Sequence, residues 1–501
     1  MAVVLHFTAA GFLLALLHEC GVAPIRAFFI VFVFALHPLR AESVAWVSER
    51  KDVLCVFWLM VCCWSHARWA RTRRPVYFAA SLIACLLAML SKPLAVVAPL
   101  LLLLLDWWPL RRKLSVQRLL LEKSAHILIA FTGLLIGLFY KAGSLHSGLT
   151  GDTLQITGIN KAWVAGHAVW IHAFNHFWPV SLAFFHPVDL ERLWLGGSLG
   201  LTFLGVLLTF AYWQRNRRPW VTMGILWYLV ALTPSSGIVQ ISHFAYADRY
   251  SYLPSIGLLI AFVMSIKLPT DNTARHAAMA GIGLGLVLML FLATWQVSHW
   301  RNSEALFQRA LAVNPKNHVA HMKLSEVYLS RGALDRSEHH ANAAGAAFEG
   351  RAYQASQYEL LGKIAFARRD YNHAKSLWHE GLGFLPNDQG LHCNLGTLAL
   401  EERDNPTALF HFEKCRQGRI VSSGLWNNYG VALERAGRGA EAELAYRKAI
   451  EIDANNIGPL INLAKRLEQR GIRNEAHAMF SHALALVPNH PQAVAGAART
   501  R

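Results

Sequence analysis

Long runs of apolar residues, almost free of charge, follow one another up to residue 297, and the remainder of the chain is charged and rich in alanine. A helix needs roughly 20 apolar residues to cross the hydrocarbon of a bilayer, so flanking residues must contribute to several of these runs. The pattern predicts an all-α chain, with a polytopic membrane domain of about ten helices over 1–297 and a soluble domain over 298–501. The apolar runs lie at 3–18, 25–36, 52–66, 76–91, 94–108, 124–141, 193–213, 220–236, 252–267 and 277–297.

Basic residues cluster in three of the loops between these predicted helices. If the helices alternate in direction, all three clusters fall on one face, which the positive-inside rule assigns to the cytoplasm. The outer face then receives 37–51, 91–93, 142–192, 237–251 and the chain after 298. The clusters are Arg68, Arg71, Arg73 and Arg74, then Arg111, Arg112, Lys113, Arg118 and Lys123, then Arg215, Arg217 and Arg218.

Segment 162–185 is aromatic and rich in histidine, and counting it as a span would move the Arg215 cluster to the wrong face. It is therefore predicted to be an amphipathic helix at the outer interface. Of the four histidines in and beside it, only His172 and His176 are spaced to share a helix face, and no carboxylate accompanies them. Packing is accordingly favoured over a metal site.

Small and aromatic residues recur every 34 positions in the second half. This is the period of tetratricopeptide repeats, each of which pairs two antiparallel helices. About five repeats are predicted, the earliest beginning near His318, with a leading half unit at 307–315. They form a right-handed solenoid whose concave face binds extended peptide or a partner helix. The recurring residues are Gly362, Gly396, Gly430 and Ala464, then Ala374, Ala408, Ala442 and Ala476, then Trp378, Phe412, Tyr446 and Phe480.

Asn394, Asn428 and Asn462 occupy the same position of three successive repeats. An asparagine side chain offers a donor and an acceptor, so such a ladder can bind a peptide backbone regardless of its sequence. The same ladder is a feature of the repeats of O-GlcNAc transferases, which these units resemble. The alternative is that asparagine is simply common at this repeat position, and the sequence favours that alternative.

The balance of 48 basic against 31 acidic residues gives a net charge of +17. Because many of the cations lie in short loops between apolar runs, this charge indicates membrane orientation rather than nucleic-acid binding. No cysteine spacing suggests zinc. Cys393 and Cys415 share one repeat and could pair in an oxidising compartment, but two helix-packing positions are favoured.

Four stretches combine ionisable residues with proline or aromatics: 37–52, 91–93, 106–110 and 247–254. The first holds three acids, three bases and a histidine within sixteen residues, which exceeds what interfacial anchoring needs. Clusters of acids and bases beside a membrane are functional candidates.

Three segments contain these four stretches: HPLRAESVAWVSERKDVL, SKPLAVVAPLLLLLLDWWPL and ADRYSYLP. Followed by tetratricopeptide repeats, they resemble the transmembrane-and-tetratricopeptide family. Its animal members are O-mannosyltransferases of the endoplasmic reticulum. The resemblance covers essentially the whole chain and implies a C-type glycosyltransferase fold. Such a protein uses a polyprenyl-phosphate-linked sugar and has its active site and repeats on the outer face. The absence of a eukaryotic retention tail and the resemblance favour a bacterial inner membrane, with the repeats in the periplasm.

The resemblance also implies a mechanism. A carboxylate, Glu42 or Asp248, deprotonates a Ser or Thr hydroxyl of an acceptor protein. A second set holds the donor phosphate: His37, Arg50, Lys51, Arg249 and Tyr250. The alternative for Glu42 is a structural partnership with Arg50 or His37, and for Asp248 one with Arg249. No cofactor is evident, and a divalent metal is left open.

The family's first helix and its acidic outer loop have no counterpart before Met1, and ten spans would leave both chain ends outside. A late start, a fragment or a non-catalytic relative are the alternatives. A second function therefore stands beside the transferase: a catalytically silent scaffold whose repeats assemble envelope proteins. A transporter is less supported, because no pair of interrupted helices marks a midplane site.

Overall fold

The structure, a computed structural model, describes residues 1–146, 158–187, 193–237, 246–267, 269–347, 350–418 and 422–501. Every secondary-structure element in these ranges is helical, so the predicted all-α class is confirmed. The chain divides into two compact units, Met1–Leu324 and Ser325–Arg501. The predicted boundary at 297/298 follows hydropathy instead, and the first helices beyond it pack within the first unit.

An α-helix lies in each of the ten predicted apolar runs, although the runs at 94–108, 220–236 and 252–267 extend beyond their α-helices. Two further helices, α3 and α8, lie between them. The helices are α1 (Ala2–Glu19), α2 (Pro24–Leu36), α3 (Arg40–Ala45), α4 (Arg50–Thr72), α5 (Pro75–Ser91), α6 (Ala98–Trp107), α7 (Val116–His146), α8 (Ile159–Phe177), α9 (Leu193–Gln214), α10 (Pro219–Leu232), α11 (Ser255–Ser265) and α12 (Asn272–Ser298).

Five stretches of helix in the described chain are long and apolar enough to cross a membrane. They are Ala2–Glu19, Val47–Thr72, Val116–Phe139, Leu193–Gln214 and Asn272–Ser298. Shorter apolar helices, among them Pro24–Leu36 and Pro75–Ser91, complete a polytopic bundle. Helix α8 covers most of the predicted amphipathic segment, and its interfacial position remains a prediction.

The core of the bundle forms around α4, which packs against α1, α5 and α6. Its inward face carries Val56, Leu59 and Cys63, all fully buried. Helices α10 and α11 approach closely at two glycines, because a Cβ on Gly224 would lie 2.3 Å from the carbonyl oxygen of Gly257. Small residues at such crossings let membrane helices pack backbone to backbone.

The predicted cytoplasmic stretch 106–110 contains a fully buried carboxylate, Asp106. Its oxygens lie 2.8 Å from His66 Nε2, 2.6 Å from Lys123 Nζ and 3.2 Å from Arg112 Nη1. A buried charge is tolerated when it is paired and hydrogen-bonded. This cluster therefore joins α4, α6 and α7, and it is separate from the outer-loop site described below.

The predicted repeats are confirmed as successive helix pairs after the leading half unit. In each of three repeats, the glycine of the first helix faces the aromatic residue of the second. A Cβ on Gly430 would lie 2.6 Å from the buried Tyr446 ring, so only glycine fits there. The helices are α13 (Ser303–Val313), α14 (His318–Ser330), α15 (Leu334–Ala347), α16 (Arg351–Ala367), α17 (Tyr371–Phe384), α18 (Gln389–Glu401), α19 (Asn405–Arg416), α20 (Ser423–Arg435), α21 (Gly439–Ile452), α22 (Ile457–Gln469), α23 (Arg473–Leu486) and α24 (Pro491–Thr500).

Cys393 on α18 and Cys415 on α19 form a disulfide, with their Cα atoms 5.2 Å apart. The sequence favoured two packing positions for these residues, and that interpretation was wrong. Adjacent antiparallel helices bring the two Cα atoms within the range that a disulfide spans, which spacing along the chain does not reveal.

Candidate functional site

The outer-loop motifs meet in one buried polar centre of the first unit. Helix α3 and the start of α4 contribute acids, Lys92 follows α5, and a 3₁₀ turn at Asp248–Ser251 precedes α11. Glu42, Asp248 and Arg249 are each no more than 4% exposed. Residues far apart in the sequence are thus brought together beneath the protein surface.

Glu42 is held by Arg249 at both carboxylate oxygens. Oε2 accepts the backbone N–H of Arg249 at 2.8 Å, and Oε1 accepts its guanidinium. Burial raises the pKa of Glu42 to about 7, against the opposing effect of Arg249. The structural partner of Glu42 is therefore Arg249, and not Arg50 or His37 as the sequence suggested.

Arg249 also connects Glu42 to the acids at the start of α4. Its Nε lies 3.7 Å from Glu49 Oε1, and Lys92 Nζ lies 3.7 Å from Glu49 Oε2. Lys92 in turn pairs with Asp52. Burial lowers the pKa of Arg249, but the surrounding acidic groups, Glu42 foremost among them, together outweigh it and the pKa is raised. Three acids and two cations thus form one continuous network.

Among the described contacts of Asp248, none is to the side chain of its neighbour Arg249. Its Oδ2 accepts the backbone N–H of Ala183 at 2.9 Å, and its Oδ1 accepts the Asn175 amide at 3.4 Å. His186 Nε2 lies 3.3 Å from Oδ1, an ion-pair contact whose geometry falls short of a hydrogen bond. Burial lowers the pKa of His186, but Asp248 and Glu42 together more than offset this and the pKa is raised. The expected Asp248–Arg249 partnership is replaced by contacts to 175–186.

The predicted phosphate-binding residues are not all in this centre. Arg50 is exposed, and Lys51 is 52% exposed and 3.7 Å from Glu49. His37 is buried, with Nε2 2.9 Å from the carbonyl oxygen of His176 and the two rings stacked. Burial lowers the pKa of His37 to about 3, so the ring is neutral. The half-buried Tyr250 does belong to the centre, with the Arg249 guanidinium 5.1 Å from its ring centroid.

Two cations, Arg40 and Lys92, were not singled out from the sequence, although both lie within the motifs. Arg40 is 4% exposed, and its Nη2 donates to Ser255 Oγ at 3.2 Å. Within the described part of the chain, its Nε and Nη1 have no hydrogen-bond partner. Its guanidinium lies 4.8 Å from the Tyr252 ring centroid. Burial lowers the pKa of Arg40 to about 10, so it remains a cation at neutral pH.

An apolar cavity of about 850 Å³ lies among α2, α8, α11 and α12. Its polar lining residues are Arg26, His37 and His176, and the rest is mainly aliphatic and aromatic. A cavity of this size accommodates a segment of hydrocarbon chain.

The asparagine ladder lies on the first helices of three successive repeats, α18, α20 and α22. All three side chains are half-buried. Asn394 Nδ2 donates to Glu359 Oε1 at 3.3 Å, and Asn462 Nδ2 donates to Asn427 Oδ1 at 2.9 Å. Two of the ladder residues thus already bond to the preceding repeat. Among the described residues, no group of three or more His, Cys, Asp or Glu side chains is arranged to hold a metal ion.

Fold and site define a class: a polytopic membrane protein with an acid–base centre built from loop motifs, followed by a tetratricopeptide solenoid. No protein-family model matches the chain. It is similar to the human protein O-mannosyl-transferase TMTC1, at 24% identity over 378 residues, covering 63% of this chain and 41% of that protein. It is likewise similar to human TMTC3, at 24% identity over 364 residues, covering 64% and 39%.

A third relative is the protein O-mannosyl-transferase F38B6.6 of Caenorhabditis elegans, 22% identical over 321 residues, covering 62% of this chain and 44% of that protein. The resemblance that the motifs indicated is therefore confirmed. The chain spans less than half the length of these curated relatives.

Solved structures similar to this chain include YrrB, a tetratricopeptide protein, with a TM-score of 0.31 and 19% identity, covering 38% of this chain and 96% of YrrB. PilF of Pseudomonas aeruginosa has a TM-score of 0.35 and 18% identity, covering 45% of this chain and 98% of PilF.

Proposed function

We propose that this protein is a membrane glycosyltransferase that transfers a sugar from a polyprenyl-phosphate donor to Ser or Thr of acceptor proteins held by its repeats. The observation that carries the proposal is the buried acid–base centre, in which Glu42–Arg249 and Asp248–His186 lie side by side. Mannose is the favoured sugar, because the similar curated proteins are named O-mannosyl-transferases.

Asp248 is the better candidate for the general base. Both oxygens of Glu42 accept hydrogen bonds from Arg249, so removing a substrate proton would break that pair. Asp248 is contacted by a backbone N–H, an amide and an imidazole, which fix the direction of its carboxylate. Unlike Glu42, it is not bound at both oxygens by one arginine among the described contacts. A positioned carboxylate contributes a factor of roughly 10² to 10⁴ to such a reaction.

In the proposed step, the acceptor hydroxyl oxygen attacks the anomeric carbon of the sugar and the carbon–oxygen bond to the phosphate breaks. The bonding electron pair leaves on the polyprenyl phosphate, and the hydroxyl proton passes to Asp248. Arg249 and Lys92 are the nearby cations that stabilise the departing phosphate, and charge-assisted hydrogen bonds to phosphate are strong. Arg50 and Lys51, which are exposed, are further cations that would attract the donor phosphate.

The donor's hydrocarbon chain fits the apolar cavity beside His37 and His176. Arg40 donates to Ser255, the first residue of α11, which is one of the helices around the cavity, and two of its nitrogens have no partner among the described residues. A buried, unpaired guanidinium is unfavourable unless an anion joins it. Arg40 is therefore a second candidate for the lipid phosphate.

Acceptor proteins would lie along the concave face of the repeats, where Asn394, Asn428 and Asn462 can reach a peptide backbone. The Cys393–Cys415 disulfide supports an oxidising compartment for this face. The basic loop clusters support the cytoplasm for the opposite side of the membrane. We accordingly place the repeats in the periplasm of a bacterial inner membrane.

The test is transfer from polyprenyl-phosphate mannose to Ser/Thr-containing proteins in membranes carrying the full chain. Asp248→Asn should lower the rate at least about 100-fold. Asp271→Asn is the matched control, because this exposed aspartate caps α12 through an oxygen that asparagine also provides. Equal rates for the two variants would sink the assignment of Asp248.

A non-catalytic scaffold is the second candidate. It is favoured by the internal engagement of the oxygens of both Glu42 and Asp248, as in a structural network. A scaffold predicts no sugar transfer by wild-type membranes and unchanged partner capture by the Asp248→Asn variant.

A further inference from the structure

One loop, residues 179–187, connects Asp248 to the first repeat helices of the same compact unit. We call it the linking loop. Its backbone N–H at Ala183 donates to Asp248, and its His186 ring lies against the same carboxylate. Two of the three described contacts to the Asp248 side chain therefore come from this loop. The direction of the carboxylate depends on where the loop lies.

The linking loop is fastened on its other side by α13 and the start of α14. Ala183 is buried against Ala310 and Ala320, and Phe184 packs edge-to-face on Phe307 at 5.7 Å. Arg309 Nη2 donates to the carbonyl oxygen of Val180 at 2.5 Å.

Asn317 makes the most specific of these contacts. It is fully buried, and the oxygen and the nitrogen of its side-chain amide make hydrogen bonds to different partners. Oδ1 accepts the N–H of Ala320 at 3.0 Å and caps α14, while Nδ2 donates to the carbonyl oxygen of Phe185 at 2.8 Å. One side chain thus joins the first turn of α14 to the loop at Phe185, which lies between the two loop residues that contact Asp248.

We propose that Asn317 is a positioning residue for Asp248: it holds the linking loop in the place from which Ala183 and His186 orient the carboxylate. Asn317 does not touch substrate in this role, and its effect passes through the loop. The catalytic part of the inference rests on the proposed transferase function, whereas the geometric part does not.

The test uses Asn317→Ser in the full-length protein. Serine still caps a helix, but its side chain is too short to reach Phe185. The control is Asn302→Ser, because Asn302 is an exposed asparagine whose Oδ1 caps α13 in the same way at 2.8 Å. The two variants make the same chemical change, and only one removes a contact to the loop.

Hydrogen–deuterium exchange of residues 179–187 is the first measurement. Losing a buried hydrogen bond changes an opening equilibrium by a factor of about ten, so exchange in the loop should quicken about tenfold in Asn317→Ser and stay unchanged in Asn302→Ser. Equal exchange in the two variants would overturn the inference.

Steady-state transfer is the second measurement. Asn317→Ser should lower kcat about tenfold with the acceptor KM unchanged, since orientation of the base is lost and not binding. Faster loop exchange with wild-type kcat would overturn the positioning role. Faster loop exchange in a protein that transfers no sugar even as wild type would support the loop geometry and reject the proposed function instead.

Discussion

Arg249 binds one carboxylate with its backbone and its side chain together. Both groups converge on Glu42, 207 residues away in the sequence. The backbone contact fixes the 3₁₀ turn that carries Asp248, and the guanidinium contact supplies charge. Burial nevertheless dominates the titration of Glu42, because taking a carboxylate out of water disfavours its charged form.

Because burial outweighs the effect of Arg249 on the pKa of Glu42, the stability of the protein should depend on pH. The pKa of Glu42 is raised from 4.5 to about 7, so its contribution to stability is fully present below the unfolded value and is lost as pH rises through about 7. Between about pH 5 and pH 8, the free energy of unfolding should fall by up to about 3 kcal/mol more in wild type than in Glu42→Gln. Thermal unfolding across this range measures the difference, and parallel curves would contradict it.

A substitution at Arg40 should change donor binding without lowering the stability of the protein. Replacing a buried charge with an apolar side chain of similar volume is often neutral or stabilising. We therefore expect Arg40→Met to unfold at or above the wild-type temperature while the KM for the lipid donor rises about tenfold or more. Arg26→Met, which alters a cation lining the cavity, is the comparison. A large loss of thermal stability in Arg40→Met would make Arg40 a structural residue.

Sequence reasoning found the motifs of the site but not its pairings. It named Glu42, Asp248 and Arg249, and the structure brings all three together. It could not choose Arg249 over Arg50 as the partner of Glu42, because partners distant in the sequence are set by how α3 and α11 pack. His186 and Asn175 were missed for the same reason, since only the fold brings 175–186 to Asp248.

At the scale of helices, the crossing of α10 and α11 determines where the Asp248–Ser251 turn can lie, because α11 follows that turn directly. The two helices are in contact through backbone atoms at Gly224 and Gly257. Neither glycine tolerates a side chain without separating the helices.

Gly257→Ala should therefore destabilise the protein by about 1–3 kcal/mol, since its Cβ would stand 2.3 Å from the Gly224 carbonyl oxygen. Gly281→Ala in α12 is the control, because nothing lies within 4 Å of the Cβ position there. Helix propensity alone favours alanine over glycine at both positions. A thermal shift of equal sign in the two variants would show that the close contact does not matter.

The elements themselves were largely predictable. Apolar runs located the membrane helices, and the 34-residue period located the repeats, since both patterns follow from burial. Boundaries were less predictable: run 252–267 became the shorter helix Ser255–Ser265, which begins only after the 3₁₀ turn at Asp248–Ser251, where the Arg249 N–H bonds to Glu42. Polar contacts outweighed hydropathy there.

For the molecule as a whole, the disulfide is the feature that relates structure to compartment. A bond between Cys393 and Cys415 persists where the surroundings are oxidising. The five remaining cysteines are buried in the first unit and free. The two repeat cysteines are thus the pair whose redox state reports where the solenoid resides.

Non-reducing peptide mapping of protein from native membranes should recover Cys393 and Cys415 in one linked fragment. Closing a loop of this length is worth about 3 kcal/mol, so a reductant should lower the unfolding temperature of the repeats by several degrees. The Cys393→Ser, Cys415→Ser double variant should no longer respond to reductant. Maleimide labelling of both residues in the unreduced, denatured protein would contradict the bond.

The Cys393–Cys415 disulfide also changes how the solenoid extends under a pulling force. A stretched repeat ordinarily unravels to its full contour, but the segment between Cys393 and Cys415, which are 22 positions apart in the sequence, cannot lengthen while the two sulfurs are joined. Extension of the array should fall short by about 75 Å in an oxidising bath and recover that length when the bond is reduced. The disulfide therefore makes one segment of the otherwise extensible repeat array inextensible.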